Sequence, residues 1–246
     1  MNLRFVDLSV PIQEPNPGEV RGGMGAILAA EIQYQSHTDT LPECKLMFGA
    51  EPEDMDGVGI GAERLALTAH AGTHVDAPCH FDADPKAIGI DQVPLENFFT
   101  EAICLDLSHK PLKSDISIED LQKAEQAAGV TIKPKDTVLL HMDFFRRTHG
   151  TPGFITDFPG LTKESATWLG KKGITQFGVE AVSPGRPGRS NFEVHHVCRD
   201  LGFTHIEGLV NLEKLVGKGR FKFIGFPIKI KGGTGAPIRA VAWLDG

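Results

Sequence analysis

The sequence predicts an α/β fold, and three observations carry that reading. Apolar runs of strand length recur between turn residues, at Ala102–Leu107, Thr137–Met142 and Ile174–Val179. Two segments with helical spacing and an N-cap signal stand among them, Ser117–Gly129 and Thr162–Lys172. Strands outnumber helices, and the two alternate only in the second half of the chain.

Taken in order, Leu3–Val10 reads as a strand ended by Pro11, which cannot donate to a ladder. Residues 14–61 are rich in Pro and Gly and read as irregular, with a strand near Ala26–Gln33 as their one candidate element. An irregular stretch of that length is usually functional rather than filler. Glu63–Ala69 reads as a strand. In Ser117–Gly129, Ile118, Leu121, Ala124 and Ala128 fall at helical spacing, and Gly129 is the stop. Thr162 is the N-cap of the next helix, with Glu164 and Ser165 in its first turn. Ser190-x-x-Glu193 has the form of a capping box, so a further helix starts there. A strand follows over Phe203–Val210. Phe221–Lys231 and Ile238–Leu244 are the last two strands, with Gly232-Gly233 in the turn between them. No repeat or linker divides the chain, so residues 1–246 are expected to form one domain.

Composition narrows the function classes. The chain is long enough to bury a sizeable core. Its net charge is −7, with no basic cluster beyond short runs such as Lys171-Lys172. That balance argues against nucleic acid and anionic membranes as partners. No apolar run spans a bilayer, and the opening residues lack the apolar stretch of a signal peptide, so a cytoplasmic location is expected. Cys44, Cys79, Cys104 and Cys198 form no C-x-x-C pair, which indicates neither a disulfide framework nor a thiolate zinc site.

The chemistry concentrates in the run HAGTHVDAPCHF, where His70, His74, Asp76 and His80 fall within eleven residues. Three imidazoles and a carboxylate are a ligand set for a divalent transition metal. A helix is disfavoured by Gly72 and Pro78. On a straight strand the four would share a face, yet spread over roughly 33 Å at about 3.3 Å per residue. Metal bonds near 2 Å cannot span that. The segment is therefore expected to leave the strand Glu63–Ala69 and curl into a metal-gripping loop.

A second set lies late in the chain. Val194, Val197, Cys198 and Leu201 form the apolar stripe of the helix that starts near Ser190. His195 sits at the edge of that stripe and can reach inward, while His196 faces water. On the strand Phe203–Val210, His205 and Glu207 share a face with Leu209. A carboxylate on an apolar strand is costly to bury unless paired or metal-bound. Glu207 is thus a candidate ligand, with His195 or His205 as the histidine beside it.

HAGTHVDAPCHF resembles the H-x-G-T-H-x-D-x-P-x-H-F signature of the cyclase-like metal hydrolases, which include bacterial kynurenine formamidases and isatin hydrolases. Asp7-Leu8-Ser9 is similar to that family's D-L-[ST] opening, Pro159-Gly160-Leu161 to its P-G-L, and Glu207-Gly208-Leu209 to its E-[GN]-L. Gly178-Val179-Glu180 stands where the family usually has G-[IV]-D. The resemblance implies a swivelling β/β/α fold with a central β-barrel-like core and flanking helices. It implies one or two divalent ions, Zn2+ or Mn2+, held by His70, His74 and Asp76 and by His195, Glu207 and Asp76. It gives His80 the part of proton shuttle.

The resulting expectation is a metal-dependent hydrolase that cleaves a C–N bond of a small aryl amide or lactam, assembled as a homo-oligomer, dimer or larger. A cyclase or lyase acting on a polyketide-like or hydroxy-acid substrate is the alternative, and a metal-binding protein without turnover is another. One departure bears on substrate. Kynurenine formamidases carry a tryptophan soon after the D-L-[ST] opening, whereas this chain has only Trp168 and Trp243. Phe5, Tyr34 or Phe48 would then supply aromatic cover.

Overall fold

The computed structural model describes residues 4–14 and 30–244. They fall into two compact units, one drawn from Met1–Pro11 and Ala69–Gly246, the other from Ile12–Thr68. The smaller unit contains β2 (Ala30–Gln35) paired antiparallel with β3 (Ala62–Leu67), and α1 (Leu41–Phe48). The expected strand near Ala26–Gln33 is β2, shifted toward the C-terminus, and its residues before Ala30 lie outside the described ones. Helix α1 corrects the reading of residues 14–61 as irregular. Its Pro42 stands in the first turn, where a missing N–H costs nothing, and Gly49 ends it in the left-handed conformation.

The larger unit is built on one nine-stranded sheet. Its strands are β1 (Arg4–Asp7), β4 (His74–Asp76), β5 (Phe99–Asp106), β7 (Thr137–His141), β9 (Gln176–Val179), β10 (Thr204–Glu207), β11 (Phe221–Ile224), β12 (Gly235–Pro237) and β13 (Val241–Leu244). The spatial order is β1-β13-β11-β5-β7-β9-β10-β4-β12. The middle four, β5, β7, β9 and β10, are parallel, and every other pairing is antiparallel. Parallel strands buried on both faces read as continuous apolar runs, as Thr137–His141 does with every residue buried.

The sheet curls until its distant strands meet. Ser9, just past β1, bridges Leu209, just past β10, and the Val210 amide donates to the Leu8 carbonyl at 3.0 Å. This is the barrel-like core that the resemblance implies. Leu8, Val75, Cys104, Leu139, Ile206, Phe223, Ala236 and Ala242 fill its inside. A fully buried Leu or Ile contributes about 1.5–3 kcal/mol relative to exposure.

Helices α2 (Ile118–Ala127), α4 (Lys163–Lys171) and α5 (Arg189–Leu201) pack in series, α4 between the other two. A short two-stranded sheet, β6 (Asp115–Ile116) with β8 (Gly160–Leu161), and a one-turn helix α3 (Phe144–Thr148) complete the unit. Ser117 and Asp120 close a capping box on α2, and Thr162 with Ser165 does so on α4, as their sequences predict. At α5 the expected box is absent. Gly188, at φ +96°, takes the N-cap position, while the Ser190 hydroxyl donates to the Leu161 carbonyl and Glu193 pairs with Arg189. The long strand expected over Phe221–Lys231 stops at Ile224, and Gly225 and Pro227, which offers no amide to a ladder, follow it.

Candidate metal centre and active site

The motif run is neither one strand nor one loop. His70–Gly72 form a turn, His74–Asp76 make β4 inside the main sheet, and Pro78–Phe81 make a single 3-10 turn. Successive strand residues alternate faces. Val75 therefore points into the barrel, while His74 and Asp76 point to the outer face. β10 does the same, with Ile206 inside and His205 and Glu207 outside. Antiparallel register sets Glu207 directly opposite His74. Helix α5 covers this face and turns His195 into it, leaving His196 exposed, as the helical stripe predicts.

Two backbone contacts hold the ligand strands in register. The Thr73 hydroxyl donates to the Gly208 carbonyl at 2.6 Å. Gly208 sits at φ +69°, and a Cβ there would lie 2.8 Å from the Gly72 carbonyl oxygen. Only glycine lets the residue after Glu207 approach the turn before His74 so closely.

The six residues singled out from the sequence converge. Asp76 is central. Its Oδ1 lies 2.8 Å from His70 Nδ1 and 3.6 Å from His74 Nε2, and its Oδ2 lies 3.6 Å from His80 Nε2 and 3.7 Å from His195 Nε2. Glu207 Oε2 is 3.3 Å from His74 Nε2, and its Oε1 is 3.8 Å from His195 Nε2. His205 joins them as well as His195, rather than instead of it, at 3.2 Å from Asp76 Oδ2. Phe81, which closes the motif run, shapes the rim with Phe192 and Arg199, which the sequence reading did not single out. Phe81 stacks on His195 with centroids 3.9 Å apart, Phe192 stands 6.0 Å beyond it, and Arg199 donates to the Phe81 carbonyl at 3.2 Å. Phe192 lies three residues before His195, a spacing that places both on one helix face. Phe5 instead meets Trp243, with centroids 6.1 Å apart.

Hydrogen bonds fix how the imidazoles present themselves. His195 Nδ1 lies 2.7 Å from the Asn191 carbonyl, which can only accept, so Nδ1 carries the hydrogen. Burial and the neighbouring His205 hold the His195 pKa down to about 4, so the ring is neutral and Nε2 turns a lone pair toward two carboxylates. His74 Nδ1 is tied in the same way to the Gly72 carbonyl at 3.0 Å. Its Nε2 is buried without a hydrogen-bond partner. Burial pushes both carboxyls up, yet the imidazoles outweigh it. His205, His70 and His74 hold Asp76 well below the carboxylate range, and His205 and His74 hold Glu207 down to about 2.

Two ionised carboxylates facing several imidazole nitrogens at 2.8–3.8 Å fit a divalent cation. Imidazole nitrogen and carboxylate oxygen are the donors that zinc, manganese and related ions accept. Hydrogen-bonded Nδ1 atoms behind metal-facing Nε2 atoms are the usual outer support of such sites. Two overlapping donor groups lie close enough for this: His70, His74 and Asp76, and Asp76, His195, His205 and Glu207.

Known proteins share this arrangement of chain. The Kynurenine formamidase of Salinibacter ruber is 30% identical over 190 residues, covering 77% of this chain and 82% of that protein. The Isatin hydrolase of Roseibium aggregatum is 28% identical over 203 residues, covering 77% of each. The solved structure of isatin hydrolase A from Ralstonia solanacearum superposes with a TM-score of 0.78 at 25% identity, covering 99% of this chain and 93% of that one. The family model named Cyclase matches residues 6–186, from β1 through the loop after β9 and including His74 and Asp76 of β4, so the chain belongs to the cyclase family.

Proposed function

We propose that this protein is a metal-dependent hydrolase that cleaves a C–N bond of a small aryl amide or lactam. The observation that carries the reading is the buried meeting of Asp76 and Glu207 with inward-turned imidazoles, in a chain 30% identical to a kynurenine formamidase. His70, His74, Asp76, His195 and Glu207 would hold one or two divalent ions, zinc or manganese. A bound divalent ion supplies polarisation of a carbonyl and a lowered pKa for water.

The chain's own residues supply the rest. His80 follows the ligand strand on a 3-10 turn, and its side chain is 30% exposed, more open than the ligands behind it. Its ring lies against His70 with centroids 4.1 Å apart, and its Nε2 is 3.6 Å from Asp76 Oδ2. From there it takes a proton from the attacking water and returns one to the leaving nitrogen, the exchange an imidazole suits at neutral pH. Phe81 and Phe192 offer an aromatic wall to an aryl substrate. The proposal extends to a single working domain and to a homo-oligomer in the cytoplasm, checked by one unfolding transition, light scattering and cell fractionation.

The test is a panel of arylformamides, isatin, lactones, imides and hydroxy acids given to the metal-loaded protein. Amide or lactam turnover is expected. Dehydration or cyclisation without C–N cleavage would assign the chain to the lyase alternative.

A further inference from the structure

His205 exceeds the ligand set implied by the resemblance, which pairs one late histidine with Glu207. The two carboxylates show where it belongs. Asp76 turns Oδ1 to His70 and His74 and Oδ2 to His195 and His205. Glu207 turns Oε2 to His74 and Oε1 to His195 and His205, with His205 Nε2 at 3.1 Å. Asp76 thus offers one oxygen to each group of donors, while Glu207 groups with His195 and His205. The sides are unequal. One has His70, His74 and Asp76, three donors, and the His70 side chain is 17% exposed. The other has Asp76, His195, His205 and Glu207, four donors, all buried.

The geometry points to a division of labour. His205 is a metal ligand that completes a four-donor, structural position, and the three-donor position at His70, His74 and Asp76 holds the exchangeable, working ion. The inference rests on the metal-hydrolase reading above. Structural metal sites are closed by four protein ligands, whereas catalytic ones keep three and leave a position open. The cavity beside His195 and His205 has a volume of 20 Å³, room for about one water, and His80 and Phe81 line it as well. The surroundings of His205 also suit a fixed ligand, since Phe177 stacks on the ring with centroids 5.6 Å apart.

Zinc release to a colorimetric chelator tests this without any substrate. The zinc-loaded wild type is expected to release two ions per chain in two phases of equal amplitude. His70→Ala should lose the fast phase and keep the slow one. His205→Phe, which keeps a ring against Phe177, should lose the slow phase. Removing even an outer-shell partner typically costs 10–100-fold in metal affinity, so the slow ion should leave at least ~100-fold faster or be absent. Near-UV circular dichroism checks the fold, and His205→Leu is read in the same way if the Phe variant does not fold. A slow phase of wild-type rate and amplitude in the His205 variants would overturn His205 as a ligand. A wild type that takes one ion would overturn the two positions while leaving a one-metal hydrolase standing. A wild type that takes none would overturn the hydrolase reading too.

Discussion

His74 stands directly across the β4–β10 ladder from Glu207, and its Nε2 lies 3.3 Å from Glu207 Oε2. With His74 Nδ1 committed to the Gly72 carbonyl, that nitrogen and that oxygen are complementary only to a shared cation or proton. His74→Ala should therefore lose at least one ion per chain by elemental analysis, and the near-isosteric Glu207→Gln should do likewise. An unchanged metal count in both variants would remove the pair from the ligand set.

Metal should also stabilise the fold. Its donors come from β4 and β10, far apart in sequence, and an ion that binds only the folded state stabilises it by about 2.7 kcal/mol at a hundredfold excess over Kd. At roughly 2–4 °C per kcal/mol for a chain of this size, a chelator should lower Tm by about 5–10 °C. Identical melting curves with and without chelator would mean that the ion is peripheral.

His80 should matter to rate more than to metal. General acid–base groups contribute typically 10²–10⁴-fold, so His80→Ala is expected to keep its metal and lose activity by about that factor. Loss of metal in this variant would make His80 a ligand. Full activity would shift the proton transfer to Asp76 or Glu207.

A second buried pair contributes to pH-dependent stability. His141, at the end of β7, lies with Nδ1 3.2 Å from Glu180 Oε1, while Glu180 Oε2 accepts from the Met142 and Phe144 amides. Burial pushes the His141 imidazole down, but the hydrogen bond and charge of Glu180 outweigh it and raise the pKa above its ordinary value. The folded state thus favours the protonated form. The stabilisation is complete below the unfolded value near 6.5 and is lost as pH rises through the raised folded value. The Tm gap between wild type and His141→Gln should be wider at about pH 5.5 than at about pH 8.5. A gap that widens with rising pH would reverse the assignment.

Much of the centre is legible in the sequence because its ligands are local. His70 to His80 lie in one short run, and the faces of His195, His205 and Glu207 follow from helical and strand periods. What no period reveals is how strands pair. That His74 faces Glu207, that both His195 and His205 reach Asp76, and that Glu180 meets His141 all depend on the β7-β9-β10-β4 order. The capping box read at Ser190 fails because Gly188 makes the turn from outside the four-residue pattern. Helix α1 hides in a Pro- and Gly-rich stretch, since Pro42 reads as a breaker unless it is known to stand in a first turn.

The most direct test of the account is the initial rate of arylformamide or isatin hydrolysis, measured against bound metal per chain as zinc or manganese is titrated into chelated protein. The rate should rise from near background to a plateau as the exchangeable position at His70, His74 and Asp76 fills. Hydrolysis of the same amide at an unchanged rate by protein with no measurable metal would contradict it.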